Sequence, residues 1–336
     1  MQEDKDLLTV LRKMAGVNMQ DIAKRFSSIF PGNCSSFWEE ILIAMDKITE
    51  IRIRVGSPVL IYMNQREISI DREGKFIYVA EAGKNFSYKE IQKLVDFWCM
   101  DSRYAFKNEI KRGFLTIEGG HRIGICGETV TDENGVIQSI KHISSVNIRV
   151  AHEVKGVAEN IMKYIYEGNQ IVNTLVVSAP GAGKTTLLRD IIRLISKGNG
   201  KQLGKSVGVV DERGEIAACF QGIPQLDVGP RTDVLSNCPK KWGMRMLLRS
   251  MAPSVIAVDE LGEIEEIDLI QQMTGNGCSV IATIHGASIE ELKNKKFLDE
   301  IWKQQIFTNI IHLFKENNQY HMEIVRGKEQ KVCYKC

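Results

Sequence analysis

The chain has no uninterrupted apolar stretch long enough to span a bilayer, and its opening residues, Met-Gln-Glu-Asp-Lys-Asp, lack the basic-then-apolar order of a secretory leader. A cytoplasmic protein is expected. Charge of either sign is nearly absent as an excess: 44 Lys and Arg against 42 Asp and Glu leave a formal net charge of +2. That is too little for a nucleic-acid groove or a polybasic membrane anchor, which show as larger local surpluses. Aromatics are scarce, at 7%, so a channel that stacks successive bases is poorly provided for. The eight cysteines follow no disulfide-scaffold spacing, in keeping with a reducing compartment. Cys333-Tyr-Lys-Cys336 is the one C-x-x-C pair. A zinc site needs two further ligands, and His312 and His321 do not stand at ligand spacing, so the pair reads as a solvated tail with two free thiols. Neither an internal repeat nor a low-complexity segment is visible.

With 336 residues, 43% of them hydrophobic and 26% charged, the chain can bury large cores, and its length suggests two domains. The break is expected near residue 151. The first part, 1–150, mixes helical patterns (Asp21 to Phe30, Tyr88 to Met100) with short alternating strands. Ile51-Arg-Ile-Arg-Val55 alternates apolar and basic residues, Gly56-Ser-Pro58 turns the chain, and Val59-Leu-Ile-Tyr62 follows. Phe114 to Glu118, Gly119-Gly120 and His121 to Cys126 read as strand, tight turn and returning strand. This is an α+β domain. At the very start, Leu7, Leu8, Leu11 and Met14 have helical spacing that suits packing on that domain or on a partner. In 151–336 a helical connection from Glu153 to Gln170 leads into strands alternating with helices, which implies a mostly parallel sheet.

The run Thr174 to Leu188 carries the most information. Leu175, Val176 and Val177 read as a buried strand, Ser178-Ala-Pro-Gly-Ala-Gly183 as a glycine loop, and the residues from Lys184-Thr185-Thr186 onward as a helix with an apolar face. A loop that enters a helix aims unpaired backbone N–H groups at one spot, and the helix dipole adds positive charge there, so a triphosphate binds. Residues 178–186 are the expected cradle: Ser178, Ala179, Pro180, Gly181, Ala182, Gly183, Lys184, Thr185 and Thr186. Lys184 reaches the β and γ phosphates and the Thr185 hydroxyl meets Mg²⁺. Ser178 stands where the Walker A pattern has its first glycine; if that place demands positive φ, serine is strained there and nucleotide affinity falls.

Other apolar runs in the second part end in polar residues suited to nucleotide chemistry. Val207 to Val210 leads to Asp211-Glu212-Arg213, Val255 to Val258 to Asp259-Glu260, and Val280 to Ile284 to His285-Gly286. Ligands of open α/β sheets lie beyond the carboxyl ends of the strands, so these groups should gather around Lys184. Asp259 suits the acidic residue that orients Mg²⁺. Glu260 is the first candidate to polarise the attacking water and Glu212 the second, and His285 is placed to contact the γ phosphate. Arginine is the missing part: Arg231, in Asp227-Val-Gly-Pro-Arg-Thr-Asp233, is one candidate, Arg245 and Arg249 at i and i+4 are others, and Arg122 and Arg149 lie in the first part. As a set they suggest a site completed across an interface.

Long motifs carry a resemblance. Val209-Val-Asp-Glu-Arg-Gly-Glu-Ile216, Pro224 to Val234, Arg249 to Gly262 and Thr283-Ile-His-Gly286 resemble the core of the type II and type IV secretion ATPases and, more closely, the stage III sporulation protein AA family. Glu50 to Gly56, Gly119 to Gly127 and Ser144 to Arg149 are similar to the same family, so the likeness runs from roughly Thr49 to Val325. It implies an α/β P-loop NTPase with a RecA-like core and a smaller N-terminal α+β domain that closes over the nucleotide in a hexameric ring. It further implies ATP and Mg²⁺ as ligands, and Asp211 to Arg213, Asp259-Glu260 and His285 as the family's acidic, second nucleotide and histidine boxes. Arg122 and Arg149 match first-domain arginines that approach the γ phosphate. The partner implied is an integral membrane protein of the channel between mother cell and forespore, with the ATPase peripheral on the cytoplasmic face in the mother cell. Two other readings stand beside it. One is a nucleic-acid translocase of related fold, which the charge and aromatic content do not favour. The other is a nucleotide-gated scaffold without turnover, for which Glu212 and Glu260 would be superfluous.

Overall fold

The computed structural model describes residues 26, 28–31, 35–200, 202–293, 298–317, 319–326 and 330–335. The leucine pattern at Leu7 to Met14, most of the expected helix from Asp21 to Phe30, the Cys333 side chain and Cys336 lie outside the described residues. The chain divides into two compact units between His152 and Glu153.

In the first unit, alternation in the sequence becomes an antiparallel sheet. Its strands are β1 (Ile48–Arg54), β2 (Leu60–Met63), β3 (Arg66–Ile70), β4 (Phe76–Ile77), β5 (Phe114–Thr116), β6 (Arg122–Thr131) and β7 (Ile137–Arg149), in the order β4-β3-β2-β1-β7-β6-β5. Ile48, Ile51 and Ile53 of β1 are fully buried while Arg52 and Arg54 face outward, as a period of two requires. Helix α1 (Ser35–Ala44) brings Trp38 into a stack with Phe30, ring centroids 3.9 Å apart. Helix α2 (Tyr88–Trp98) begins at a capping box in which Ser87 and Glu90 satisfy each other's backbone N–H groups. Helix α3 (Lys107–Lys111) precedes β5. The β5 to β6 turn uses Gly119 and Gly120 at φ +86° and +77°, where side chains are disfavoured.

The second unit opens differently from the expected helical connection. A 3₁₀ turn (Glu159–Ile161) and one turn of helix, α4 (Met162–Ile165), give way to a small hairpin, β8 (Tyr166–Glu167) and β9 (Gln170–Ile171). Gly168 at φ +60° reverses the chain there and ends the helical path. An eight-stranded sheet follows, built from β10 (Thr174–Ser178), β13 (Val207–Asp211), β14 (Thr232–Ser236), β15 (Val255–Val258), β16 (Ser279–His285), β17 (Asn309–Glu316), β18 (Gln319–Arg326) and β19 (Gln330–Lys335); β11 (Gly198–Asn199) and β12 (Gln202–Leu203) form a separate ribbon. The order is β14-β13-β15-β16-β10-β17-β18-β19, parallel from β14 through β17 and antiparallel beyond.

Both faces of this sheet are covered, and the strands β10, β13 and β15 are accordingly buried along their whole length. On one face, α5 (Lys184–Lys197) packs Leu187, Leu188, Ile191, Ile192 and Ile195 against Val176, Val209, Ala257 and Ile281. On the other, α6 (Lys240–Ser250) and α7 (Ile264–Gly275) pack Met244, Leu247, Ile267 and Ile270 against Val177, Val210, Ile256 and Val258. Two short helices, α8 (Ile289–Lys293) and α9 (Asp299–Gln304), complete that second layer. Gly243 in α6 has no room for a side chain: a Cβ there would stand 2.5 Å from Val210 Cγ1, so the helix lies directly on β13.

Candidate functional site

The parallel strands end together at one edge of the sheet. In the order β13, β15, β16, β10 they deliver Glu212, then Asp259 and Glu260, then His285, then the glycine loop. Register fixes the neighbours: Ser178 pairs with His285 and Val258 with Ala282, which sets Asp259 beside Thr283.

The loop from Ala179 to Gly183 enters α5 through Gly181 and Gly183 at φ +74° and +91°. A Cβ would find no atom within 4 Å at Gly181 and only Leu313 at 3.8 Å at Gly183, so the bend needs glycine for conformation and the cradle is open above it. The first-turn N–H groups of α5 have no partner one turn back. Ser178 does not sit in the bend. It is the last residue of β10, buried, with its hydroxyl donating to the Ala179 carbonyl at 2.9 Å and its own carbonyl accepting from Gly286 N at 3.2 Å. Its φ is not positive, so the expected strain is absent.

Lys184 is 5% exposed, and its Nζ lies 2.8 Å from His285 Nδ1 and 3.4 Å from the Ser178 carbonyl. Burial pulls its pKa below the usual lysine value, against the opposing pull of Glu260 and Asp259. His285 Nε2 pairs with Glu260 Oε1 at 2.6 Å, and Glu260 Oε2 with Arg213 Nη1 at 2.5 Å. Beside this row, Thr185 Oγ1 donates to Asp259 Oδ2 at 2.8 Å, and Thr283 Oγ1 donates to Asp259 Oδ1 while accepting from Glu260 N at 2.8 Å. Glu260 itself sits at φ +54°, a left-handed conformation that a glutamate adopts at a cost. Thr186 is half-buried one residue further along the helix.

One hydroxyl and one carboxylate, Thr185 and Asp259, already touch. The pair would suit a Mg²⁺ that took its remaining ligands from phosphate and water. Among the described residues no group of three or more His, Cys, Asp and Glu forms a self-sufficient metal site.

Asp211 and Arg231 stand elsewhere. Asp211 turns inward, 1% exposed, and accepts from the backbone N–H groups of Glu215, Ile216 and Ala217 at 2.9, 3.1 and 2.9 Å. Burial raises its pKa, against those three hydrogen bonds. It shapes the loop that carries Glu212, and the buried Arg189 of α5 holds the same loop by donating to the carbonyls of Ile216 and Glu215 at 2.5 and 2.7 Å. Arg231 is at the opposite edge of the sheet. It immediately precedes β14, where its carbonyl accepts from Val207 N at the start of β13, and its Nη1 donates to the Ser196 carbonyl near the far end of α5 at 2.9 Å. Within its own chain it does not reach the phosphate loop. Arg245 lies 5.8 Å from the centroid of the Trp242 ring on α6, one helical turn from Arg249. In the first unit, Arg122 and Arg149 are cross-strand partners, with the Arg122 guanidinium 3.6 Å from the Phe114 ring centroid.

Sequence reasoning passed over four participants. Arg213 and Thr283 stand inside motifs of the sequence that assign neither of them a task. Lys240 and Glu266 gave no signal, because both meet the site from helices on the far face of the sheet. Lys240 Nζ donates to the Glu260 carbonyl at 2.6 Å and pairs with Glu212 and Glu266 at 3.3 and 3.2 Å.

Comparisons with known proteins bear on fold and family. The chain is 40% identical over 287 residues to stage III sporulation protein AA of Bacillus subtilis (strain 168), covering 85% of this chain and 89% of that one. Among solved structures, it is similar to the pilus retraction motor PilT with bound ADP (TM-score 0.57, 15% identity, 87% of this chain and 83% of that one). It is also similar to the Legionella pneumophila ATPase DotB (TM-score 0.53, 16% identity, 84% and 78%). These establish the fold as that of the P-loop secretion ATPases. Because the model of the family described as sporulation stage III, protein AA, matches residues 20–331, nearly the whole length over which the two units and the phosphate loop were traced, the chain belongs to that family.

Proposed function

We propose that this protein hydrolyses ATP with Mg²⁺ and that it does so in a homo-oligomeric ring, six-fold by analogy with secretion ATPases. In this reading it works at the cytoplasmic face of a membrane in the mother cell, passing the resulting motion to an integral membrane protein of the sporulation channel. Among the described residues no helix of its own is long and apolar enough to cross a membrane. The observation that carries the reading is the unbroken row Lys184, His285, Glu260, Arg213 at the carboxyl edge of a parallel sheet, with Thr185 and Asp259 in contact beside it.

Each residue has a task that its position supports. The backbone N–H groups from Gly181 to Thr185 face the β and γ phosphates, and Lys184 adds a positive charge strengthened by its burial. Thr185 and Asp259 hold Mg²⁺, which when bound neutralises charge on the phosphate oxygens. Glu260 is the carboxylate that orients and polarises the attacking water, its two oxygens paired with His285 and Arg213 along the row. Glu212, next in line but bound to Lys240, is the weaker candidate. His285 links the phosphate-binding lysine to the water-polarising glutamate, so displacement of Lys184 onto a phosphate is felt at Glu260.

The test is Mg²⁺-dependent phosphate release from the purified full chain beside Lys184→Ala and Glu260→Gln, with subunit mass measured at the same concentration. Turnover lost in both variants supports the reading. Nucleotide binding without turnover in an assembled wild type transfers it to a scaffold.

A further inference from the structure

We propose that Lys240 is a positioning residue that holds Glu260 in its strained conformation and ties it to Glu212, so that both acidic boxes move as one unit. This rests on the ATPase reading of the same site.

The geometry is specific. Lys240 is the first residue of α6, so its ammonium sits at the positive end of the helix dipole, where a cation is disfavoured. It is nevertheless only 12% exposed. Three acceptors hold it there: the Glu260 carbonyl at 2.6 Å, Glu266 Oε1 at 3.2 Å and Glu212 Oε2 at 3.3 Å. Lysine has three donors and no acceptor, so the three oxygens match the capacity of the ammonium.

The Glu266 carboxylate is 4% exposed, and its second oxygen accepts from Gly262 N and Glu263 N at 2.9 and 3.3 Å. Lys240 and Glu266 therefore grip the Asp259 to Glu263 turn from both sides, one at the Glu260 carbonyl and the other at the amides that follow. The backbone of that turn is also held from β16, where Thr283 bonds Glu260 N and Leu261 N. A glutamate at φ +54° relaxes unless its surroundings over-determine it, and Lys240 bonds the strained residue's own carbonyl. The distance from α6 to the turn is set by Gly243, one helical turn on, which brings the helix against Val210.

The experiment compares wild type with Lys240→Met, Lys240→Arg and Glu266→Gln for ATP turnover, ADP affinity, melting temperature and hydrogen exchange of the amides from Glu260 to Glu263. Lys240→Met should lower kcat by about tenfold or more while KM and ADP affinity stay within about threefold, because the lost contact is not one made to bound nucleotide. Exchange at those four amides should rise by about tenfold while exchange in β10 and α5 is unchanged. Lys240→Arg should recover most of the loss, and Glu266→Gln should raise the same exchange.

Unchanged kcat and unchanged exchange in Lys240→Met overturn the proposal, as does a parallel fall of kcat, affinity and melting temperature that arginine does not rescue. If Lys240→Met does not fold, Glu266→Gln with unaltered exchange overturns it instead. A wild type that binds but does not turn over ATP sinks the ATPase reading alone; the exchange measurement still decides whether Lys240 holds the turn.

Discussion

Lys184 Nζ and His285 Nδ1 are 2.8 Å apart, and His285 Nε2 stands 2.6 Å from Glu260 Oε1, so one ring bridges the lysine and the glutamate. An ammonium only donates, so the tautomer that fits this row accepts at Nδ1 and carries its proton on Nε2, facing Glu260 Oε1. Nitrogen-15 spectra of the nucleotide-free protein should show the Nε2–H tautomer for His285. An Nδ1–H form would break the row. Replacing the ring by His285→Ala should cost about tenfold to a hundredfold in turnover with smaller loss of binding, measured as kcat against ADP affinity.

Glu260→Gln and Glu212→Gln should separate the two candidate bases. The first removes the carboxylate joined to His285 and should lower kcat by about a hundredfold or more with ATP still bound. The second removes a 40% exposed carboxylate whose charge is already engaged by Lys240, and less than about a tenfold loss is expected. A reversed order would make Glu212 the base.

Restoring the consensus glycine should gain nothing. Ser178 is strand, not bend, so Ser178→Gly removes the hydroxyl bond to the Ala179 carbonyl and loosens the chain without relieving strain. Nucleotide affinity should change less than about twofold, while the unfolding free energy falls by about 0.5–1 kcal/mol in denaturant titration. A clear gain in affinity would mean that the serine does impede the phosphates.

For Arg231→Ala the expected loss is of stability, about 1 kcal/mol, because its guanidinium donates to the Ser196 carbonyl at 2.9 Å. Thermal melting and turnover on the same sample decide the matter. Turnover abolished at unchanged melting temperature would restore Arg231 as a group that acts across a subunit boundary.

The first unit should carry an acid-sensitive element. Glu90 is brought down to about 2, against its desolvation, by Lys84 and by the side chain and backbone of Ser87. A depressed folded pKa means stability that is complete above the unfolded value of 4.5 and lost as pH falls toward 2. Because the side chain is 41% exposed, screening cuts the effect to about 1 kcal/mol. Glu90→Gln should flatten that part of the pH dependence of unfolding.

Much of the second unit was legible because strand, loop and helix follow one another between Thr174 and Leu188, and local patterns report local structure. Lys184, Thr185, Asp259, Glu260 and His285 all reach the edge that the strand-end rule assigns them. Asp211 and Arg231 obey the same local patterns and go elsewhere. A strand-end aspartate is able to satisfy its own following loop, and a turn-rich segment before a strand lies at the opposite edge from the one after it. Lys240 and Glu266 were invisible because their meeting depends on how α6 lies on β13, a tertiary fact set by a glycine contact with no signature in spacing. The connection from Glu153 to Gln170 is not one helix for a simpler reason: Gly168 at φ +60° reverses the chain between β8 and β9.

The sheet keeps two cores apart, with α5 in one and α6 and α7 in the other. Lys184 is thus anchored in one layer and Lys240 in the other, and the carboxylates between them stand on the seam. A cavity cut beneath α5, as by Ile191→Ala, would slacken the proposed phosphate grip. One cut beneath α6, as by Met244→Ala, would slacken the grip on the glutamates. Core substitutions far from any nucleotide would then sort into two kinetic families, affinity mutants from one layer and rate mutants from the other, with the sheet as the dividing wall.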